Sequence, residues 1–412
     1  MPGARFPGDG GDQQPGTGPG ACRKDGRDPV FVAWRDLRFA KGRFALMGTV
    51  IVLITVLVGL LSGLTAGLGR ENTSAITSLP ADRLAFTAPA DGGAGVSFTD
   101  SRVGQRTWES WARVPGVESA EPLGIGTARA SAGGGAEERT AALSAFGVRP
   151  GSHLAPAAGR IADGSAVLSA KAADELGVRA GGRFTLNGRT LTAAGVAGEA
   201  MYSHTPVVWT SLDDWAAVSG GTASGAADSG NAGPRSGGSG ASRARTATVV
   251  ALTTSSDAGL AAADRQLGTR TVTTGEALNA IGSYTAENGS LQLMRGFLFA
   301  ISALVIGAFF TVWTIQRSGD VAVLKALGAP TGYLLRDALG QAVVLLVIGT
   351  GVGTALAASV GAAVGGTVPF VLDPATVLVP ALVMIALGAV GAALSIRRIT
   401  AVDPLTALGS AR

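Results

Sequence analysis

Charged side chains are scarce in this sequence: Asp, Glu, Lys and Arg make up only 15% of the 412 residues, whereas hydrophobic residues make up 47%. This balance argues against an ordinary soluble enzyme and against a disordered chain. Cysteine is nearly absent, and the single Cys22 excludes a disulfide framework and any cysteine-rich zinc or iron–sulfur site. At about 150 residues per domain, the length allows two or three folding units with a sizeable core.

The residues that common enzyme motifs require are also missing. Lysine occurs only at Lys24, Lys41, Lys171 and Lys325, and none of these precedes Ser or Thr, so the chain has no Walker A loop with which to hydrolyse ATP. It has no G-x-S-x-G motif, and its two histidines lie too far apart for an H-E-x-x-H metal site. We therefore predict a non-catalytic chain with no metal site and no cofactor of its own.

What the sequence does contain is long uncharged runs. A membrane span needs about 20 apolar residues, and four stretches meet this requirement. They predict transmembrane helices at residues 44–68, 296–315, 338–365 and 375–396. Buried helices of a soluble protein are the alternative interpretation, but four such runs in one chain disfavour it.

The positions of the basic residues orient these spans. Lys and Arg outnumber Asp and Glu before the first span, in the loop 316–337 and in the tail 397–412. By the positive-inside rule these segments are cytoplasmic, so both termini are predicted to be cytoplasmic in a multi-pass plasma-membrane protein. The net charge of +4 thus belongs with the membrane-flanking segments. Lipid is therefore an expected partner, and nucleic acid is not.

The N-terminal region divides into two predicted parts. Residues 1–28 are rich in Gly, Pro, Asp and Gln and predict a disordered cytoplasmic tail. Residues 29–43 combine basic side chains with apolar ones at near-helical spacing, which is typical of a helix at the membrane interface.

The segment between the first two spans, residues 69–292, predicts a large extracytoplasmic domain. Strands are expected at residues 166–168, 183–186, 191–196, 207–209 and 246–253, and helices at 169–176 and 258–267. Asn187-Gly188 predicts a two-residue hairpin, and the Gly/Ser-rich residues 220–242 predict a flexible loop. The predicted fold class is a polytopic α-helical membrane protein, with four transmembrane helices and a large mixed α/β extracytoplasmic domain inserted between helices 1 and 2.

Small residues recur every four positions in two of the predicted spans. The ladder in the first span is Gly59, Gly63 and Gly67, and the ladder in the third is Gly349, Gly353, Ala357 and Gly361. Four-residue spacing places small residues on one helix face, where another backbone can approach closely. The ladders predict helix packing, either within the chain or across a dimer.

One short segment of the outer domain combines three side chains that can bind haem iron. Met201, Tyr202 and His204 supply a thioether, a phenol and an imidazole within four residues. They form a speculative ligand-binding site. The alternative is an ordinary loop that enters the strand at residues 207–209.

The cytoplasmic loop 316–337 is the most specific part of the sequence. Val321, Leu324, Leu327 and Gly328 fit one face of a short helix, which Pro330 then stops. An apolar helix in a cytoplasmic loop needs a partner for its apolar face, either lipid headgroups or another protein.

This loop resembles the signature loop of FtsX-like ABC permeases. The resemblance rests on Gln316-Arg317, Asp320, Ala322 and the run from Leu324 to Ala329, with Asp320 at the position where the family usually has glutamate. Arg397-Arg398-Ile399 and the run from Val402 to Leu408 are similar to the family's C-terminal tail. The chain is therefore identified as an FtsX-like/MacB-type ABC transporter permease, most similar to the DevC/HrtB branch.

The resemblance implies a mechanism called mechanotransmission. A separate ABC ATP-binding subunit, which binds the ATP and magnesium, would dock on the coupling residues Asp320, Val321, Leu324, Lys325, Leu327 and Gly328. Closure of two ATPases would move two copies of the permease in a homodimer. Helices that extend outward from the first two spans would then move the outer domains. Residues 276–292 are a candidate for one such stalk, although Gly282 and Gly289 weaken this prediction.

The implied function is export of a hydrophobic or amphipathic substrate, driven by the ATPase subunit. The alternative is a non-transporting transmembrane signal transmitter that activates an extracytoplasmic protein such as a cell-wall hydrolase. The sequence leaves both open.

Overall fold

The computed structural model describes residues 41–89, 93, 95–135, 138–220, 245–328, 330–365 and 368–400, and the side chains within these ranges except those of 41–44, 220, 320, 321, 326 and 396–400. The predicted tail 1–28 and most of the interfacial segment 29–43 lie outside the described residues. So do most of the Gly/Ser-rich loop 220–242 and residues 401–412.

The α-helices of the described residues include four that are long and apolar enough to cross a membrane. In chain order the helices are α1 (Lys41–Thr77), α2 (Gln105–Trp111), α3 (Ala170–Leu176), α4 (Leu212–Gly220), α5 (Leu260–Leu267), α6 (Thr274–Ala277), α7 (Gly282–Gln316), α8 (Ser318–Ala326), α9 (Thr331–Val364) and α10 (Pro374–Thr400). The four membrane helices are α1, α7, α9 and α10. The predicted fold class is thereby confirmed.

Three of the membrane helices extend well beyond the predicted spans. Helix α1 continues past residue 68 to Thr77, and α7 begins at Gly282 rather than near residue 296. Helix α9 begins at Thr331 rather than near 338, directly after Pro330. The sequence criterion was the absence of charge, so it located only the part of each helix that lies in hydrocarbon. A helix can continue into water when polar side chains cover it and protein packs against it.

The outer domain is built on one large mixed sheet. Its strands, with those of a small two-stranded sheet, are β1 (Arg83–Thr87), β2 (Val103–Gly104), β3 (Val117–Ala132), β4 (Arg139–Val148), β5 (Ser165–Leu168), β6 (Arg183–Leu186), β7 (Arg189–Val196), β8 (Met201–Tyr202), β9 (Thr205–Ser211), β10 (Thr246–Ala247), β11 (Val249–Thr254) and β12 (Thr269–Thr273). The order across the large sheet is β12-β1-β11-β3-β4-β9-β5-β7-β6, with β8 on β9, and β2 pairs with β10. The pairs β4–β9 and β5–β7 are parallel, and the other pairings are antiparallel.

The predicted Asn187-Gly188 hairpin joins β6 to β7, with Leu186 opposite Arg189. Both turn residues have positive φ, 43° for Asn187 and 84° for Gly188, as a primed two-residue turn requires. The Asn187 side chain also accepts a hydrogen bond of 2.8 Å from the amide of Arg129, which ties the turn to β3.

Two apolar clusters form the core of this domain. One contains Trp108, Trp111 and Trp215, and the other contains Phe86, Phe146 and Trp209. The second cluster also includes Ala75 and Ile76 from the outward end of α1, Leu79 just after that helix, and Ile281, which directly precedes α7. The outer domain is therefore built around the outward ends of the two helices on which it stands.

Candidate functional site

The predicted coupling loop, residues 316–337, exposes apolar side chains. Helix α8 carries Val323 and Leu324, which are 57% and 45% exposed, and Leu327 follows it with 79% of its surface exposed. Gly328 ends the turn with a φ of 89°, a conformation that favours glycine. Lys325 is half-buried, whereas the side chains of Asp320 and Val321 are outside the described set. The loop thus presents an uncovered apolar surface, as a docking element requires.

Polar contacts hold this loop at the membrane edge. Arg317 donates to the Gln341 side-chain oxygen at 2.5 Å, and the Gln341 amide donates to Asp337 at 3.1 Å. The Arg317 guanidinium also lies 5.3 Å from the ring centroid of Trp313. Arg317 precedes α8, whereas Asp337 and Gln341 follow it on α9, so these three residues form a brace that holds the end of α7 against α9. Gln341, at the centre of the brace, is only 1% exposed. Sequence reasoning missed Gln341, although a lone amide in an apolar run was a usable signal.

The two small-residue ladders face each other within the chain. A Cβ on Gly59 would lie 2.9 Å from Ala357, and one on Gly349 would lie 2.8 Å from Ile51. Gly63 and Gly361 both contact the ring of Phe370, which fits between α1 and α9. Nearer the middle of the two helices Gly353 contacts Thr55, whereas at the outward end Gly67 lies directly against the carbonyl of Pro369, in the segment that follows α9. These residues bring the backbones of α1 and α9 close together.

The outward halves of α1 and α7 enclose a cavity of about 210 Å³. Its polar lining comprises Ser62, Thr65, Asn72, Tyr284, Glu287, Asn288, Gln292, Arg295 and, from α10, Thr376. The apolar parts of the wall include Ala66 and Leu291. The lining therefore combines a carboxylate, a guanidinium and several amides with apolar side chains from both helices. Sequence reasoning missed this site, because residues from two helices more than 200 positions apart form it.

The structure places Met201, Tyr202 and His204 in different surroundings. Met201 and Tyr202 are 5% and 8% exposed, and the Tyr202 ring makes edge contacts with Phe98 and Phe146. Burial raises the pKa of the Tyr202 phenol far above its usual value, so it stays protonated. His204 is instead partly exposed, and its Nε2 lies 2.9 Å from a carboxylate oxygen of Glu287. Tyr202 thus lies in the core of the outer domain, whereas His204 contacts α7.

Among the residues that the structure describes, no group of three or more His, Cys, Asp or Glu side chains is arranged to hold a metal ion.

Two family models match the chain. The MacB-like periplasmic core domain matches residues 44–270, and the FtsX-like permease C-terminal domain matches residues 293–404. The chain belongs to the FtsX-like and MacB-like family of ABC transporter permeases. The resemblance found in the sequence is therefore confirmed. The protein is a multi-pass membrane subunit, and a permease of this kind works with an ATP-binding subunit.

Curated relatives are similar over most of this permease. A protein of Staphylococcus epidermidis named "Putative hemin transport system permease protein HrtB" is 24% identical over 381 residues, which is 92% of this chain and 99% of the relative. An "Uncharacterized ABC transporter permease" of Mycobacterium tuberculosis is 26% identical over 399 residues, with the same shares covered.

Two solved structures are similar to about half of this chain. The extracellular domain of the ABC-type transporter YknZ from Gram-positive bacteria aligns with 47% of this chain and 98% of its own, at 11% identity and a TM-score of 0.30. The periplasmic region of MacB from Actinobacillus actinomycetemcomitans aligns with 48% of this chain and 92% of its own, at 11% identity and a TM-score of 0.29.

Proposed function

We propose that this permease couples ATP hydrolysis by a separate ATPase subunit to the export of an amphipathic substrate. The observation that carries the proposal is a continuous structural connection. Exposed apolar side chains lie on and just after α8, which follows α7 at its cytoplasmic end, and α7 runs without a break to the outer domain.

The coupling loop is suited to receive a protein. Leu324 and Leu327 expose apolar surface on either side of Lys325, and exposed apolar clusters rimmed by polar groups are typical of protein interfaces. The brace of Arg317, Gln341 and Asp337 fixes both flanks of α8. A push on α8 would therefore pass to α7 and α9 rather than be absorbed by a loose loop.

Two long helices then span the distance to the outer domain. Helix α1 has 37 residues and α7 has 35 residues. At 1.5 Å per residue each helix is about 50–55 Å long, well above the roughly 30 Å of a bilayer core. Both end against the core of the outer domain. A shift of either helix thus moves that domain, which is the essential feature of mechanotransmission.

The cavity between α1 and α7 is the candidate binding site for the substrate. Arg295 offers a positive charge to an acidic head group, and the amides of Asn288 and Gln292 offer hydrogen bonds. Leu291 and Ala66 provide apolar contact. The site matches a molecule with an acidic polar end and an apolar body. The hemin transport name of a relative is consistent with this class.

The proposal includes a second copy of the permease and a surrounding bilayer, with both termini in the cytoplasm. Leu53 and Leu57 of α1, and Phe297, Ile301 and Leu304 of α7, are more than half exposed. Such surfaces are stable only against lipid or another apolar helix.

The test is reconstitution of the permease with its ATPase partner in nanodiscs. Hemin, a macrolide and a phospholipid are added in turn, and ATP hydrolysis is measured. Stimulation by one of them, lost in Arg295→Ala but kept in Arg183→Ala on the outer domain, is expected. If no probe stimulates hydrolysis and the outer domain instead captures a cell-wall hydrolase, the signalling alternative replaces export.

A further inference from the structure

The turn between β8 and β9 has an unusual backbone. Tyr202 pairs with Thr205, so Ser203 and His204 form a two-residue turn. Both have positive φ, 50° for Ser203 and 61° for His204, although neither is glycine. Non-glycine residues adopt this conformation at a cost in free energy, and they persist there only when surrounding contacts hold them.

The contacts that hold this turn come from α1. The amide of Ser203 donates to the Asn72 carbonyl at 3.0 Å, and the amide of His204 donates to the Glu71 carbonyl at 3.3 Å. Just before the turn, the amide of Met201 donates to the Ser74 hydroxyl at 2.9 Å. The turn is thus fixed to one face of the helix by its own backbone.

The side chains of the same turn reach α7. His204 Nε2 lies 2.9 Å from Glu287 Oε2, and the hydroxyls of Ser203 and Ser283 are 2.9 Å apart. Because a carboxylate has only acceptors, the ring nitrogen donates in the contact with Glu287. Ser203 and His204 therefore each contact α1 through the backbone and α7 through the side chain.

Asn72 joins the two helices directly. It accepts a hydrogen bond of 2.8 Å from Ser283, and its amide nitrogen donates to Glu287 at 3.4 Å. The same nitrogen lies 3.1 Å from His204 Nε2, which is a packing contact between two donors. It is 1% exposed, so the network is protected from water at its centre. On the outer side, Lys171 of α3 pairs with Glu71 at 2.7 Å, and Glu71 lies 3.9 Å from His204 Nδ1.

We propose that this network, the stalk clamp, holds the outer domain rigidly to the two stalk helices, α1 and α7. Ser203 and His204 are the positioning residues through which helix movement reaches the outer domain. The clamp consists of Glu71, Asn72, Ser203, His204, Ser283 and Glu287. The proposal rests on the function proposed above. It adds that the connection between the outer domain and the two helices stays closed while the helices move. The reason is that α1 holds each turn residue through its backbone and α7 holds it through its side chain. The network is buried at its centre, and hydrogen bonds to charged groups are stronger than neutral ones.

The rigidity of the joint can be measured across it. With Cys22 replaced by serine, the chain has no cysteine, so spin labels can be placed at Glu175→Cys on α3 and Ala286→Cys on α7, both exposed. Double electron–electron resonance on the full chain in nanodiscs then gives the distance distribution between the outer domain and the stalk. The same measurement is repeated on the complex with the ATPase subunit, at rest and trapped with ATP and vanadate.

The clamp predicts a narrow distribution that is the same in the resting and trapped states. Ser203→Ala combined with His204→Ala should broaden the distance distribution about twofold, because it removes the side-chain contacts of the turn with α7, whereas the backbone hydrogen bonds of the turn to α1 remain. His204→Gln keeps a donor for Glu287, so its distance distribution should be nearly as narrow as that of the wild type. A general folding defect would broaden the distribution in this variant as well. The exposed His153→Ala is the matched control and should change nothing.

Two results would overturn the clamp. If the wild-type distribution shifts or broadens on trapping, the joint opens during the cycle. If the double variant is as sharp as wild type, other contacts hold the domain. Failure of the proposed function is distinguishable, because a chain that recruits no ATPase still gives the resting comparison between wild type and variants.

Discussion

The outer domain and the membrane bundle are packed by opposite means. Large side chains fill the outer domain, where Trp111, Phe86 and Phe146 are completely buried. The interface between α1 and α9 depends instead on glycines that leave room for a neighbouring backbone or a single ring. Water drives the first kind of packing through the hydrophobic effect, whereas lipid offers no such force and helices must gain contact by close approach. Deleting atoms should therefore damage the outer domain, and adding atoms should damage the bundle.

The largest effect is expected from Trp215→Ala in the outer domain. The Trp215 ring lies directly over Gly124 and Gly147, where no side chain would fit, and it is 2% exposed. Removing it leaves a cavity that costs about 3–5 kcal/mol of unfolding free energy. Thermal or denaturant unfolding measures the loss. Leu304→Ala, at a site 74% exposed in the bundle, is the comparison and should cost little; equal losses would remove the contrast.

The reverse experiment adds one methyl group to the bundle. Gly67→Ala places a Cβ against the Pro369 carbonyl, so α1 and the segment before α10 must separate. We expect about 1–3 kcal/mol of destabilisation, read as a lower thermal midpoint in nanodiscs. Gly69→Ala on the same helix is the control, because nothing lies within 4 Å of its added Cβ. An unchanged thermal midpoint in Gly67→Ala would show that α1 does not pack closely against the segment before α10.

A polar contact at the membrane edge should have an intermediate effect. Gln341→Leu removes a charge-assisted hydrogen bond to Arg317, a loss worth about 1.5–3 kcal/mol for a contact of this kind. The expected results are a lower thermal midpoint and weaker stimulation of the ATPase, because the flanks of α8 loosen. Gln266→Leu, at an exposed glutamine of α5 outside the cavity, is the matched control. An unchanged midpoint would mean that the brace contributes no rigidity.

The smallest effect concerns the cap of α6, just before the stalk. Hydrogen bonds from the backbone amide and the hydroxyl of Thr273 lower the pKa of Glu276 below its ordinary value. A lowered pKa stabilises the folded state above the unfolded pKa, and this contribution disappears as the pH falls through the folded value. The thermal midpoints of wild type and Glu276→Gln should therefore differ slightly at neutral pH and converge in acid. A difference that grows on acidification would contradict this assignment.

The sequence predicted the membrane part of the fold better than the outer part. Long runs without charged residues located the four spans, because the exclusion of charged side chains from lipid is a strong and local constraint. The long hairpin of β3 and β4 was missed, since β3 contains Gly124 and Gly126 and has no clear alternation. Those glycines are explained only by Trp215 and Ser219, which pack over them from α4.

The candidate sites show the same division. The exposed apolar surface at Leu324 and Leu327 was predictable because a helical pattern with an apolar face can be read locally, whereas the role of these residues in coupling stays a prediction. The cavity and the stalk clamp were not, because each joins residues near 72 and 287, with residue 204 added in the clamp. Met201, Tyr202 and His204 were close in sequence but separate in role: strand pairing directs Tyr202 into the core, and the turn directs His204 to the stalk.

The central claim is that a separate ATPase subunit binds the apolar face of α8. Its most direct test is the affinity of that subunit for the full-length permease in nanodiscs, measured for wild type, Leu324→Asp and Val196→Asp. Val196 is a similarly exposed apolar residue on the outer domain, 41% against 45% for Leu324. The account predicts that Leu324→Asp weakens binding at least about tenfold while Val196→Asp leaves it unchanged. Equal affinity of all three proteins would contradict it.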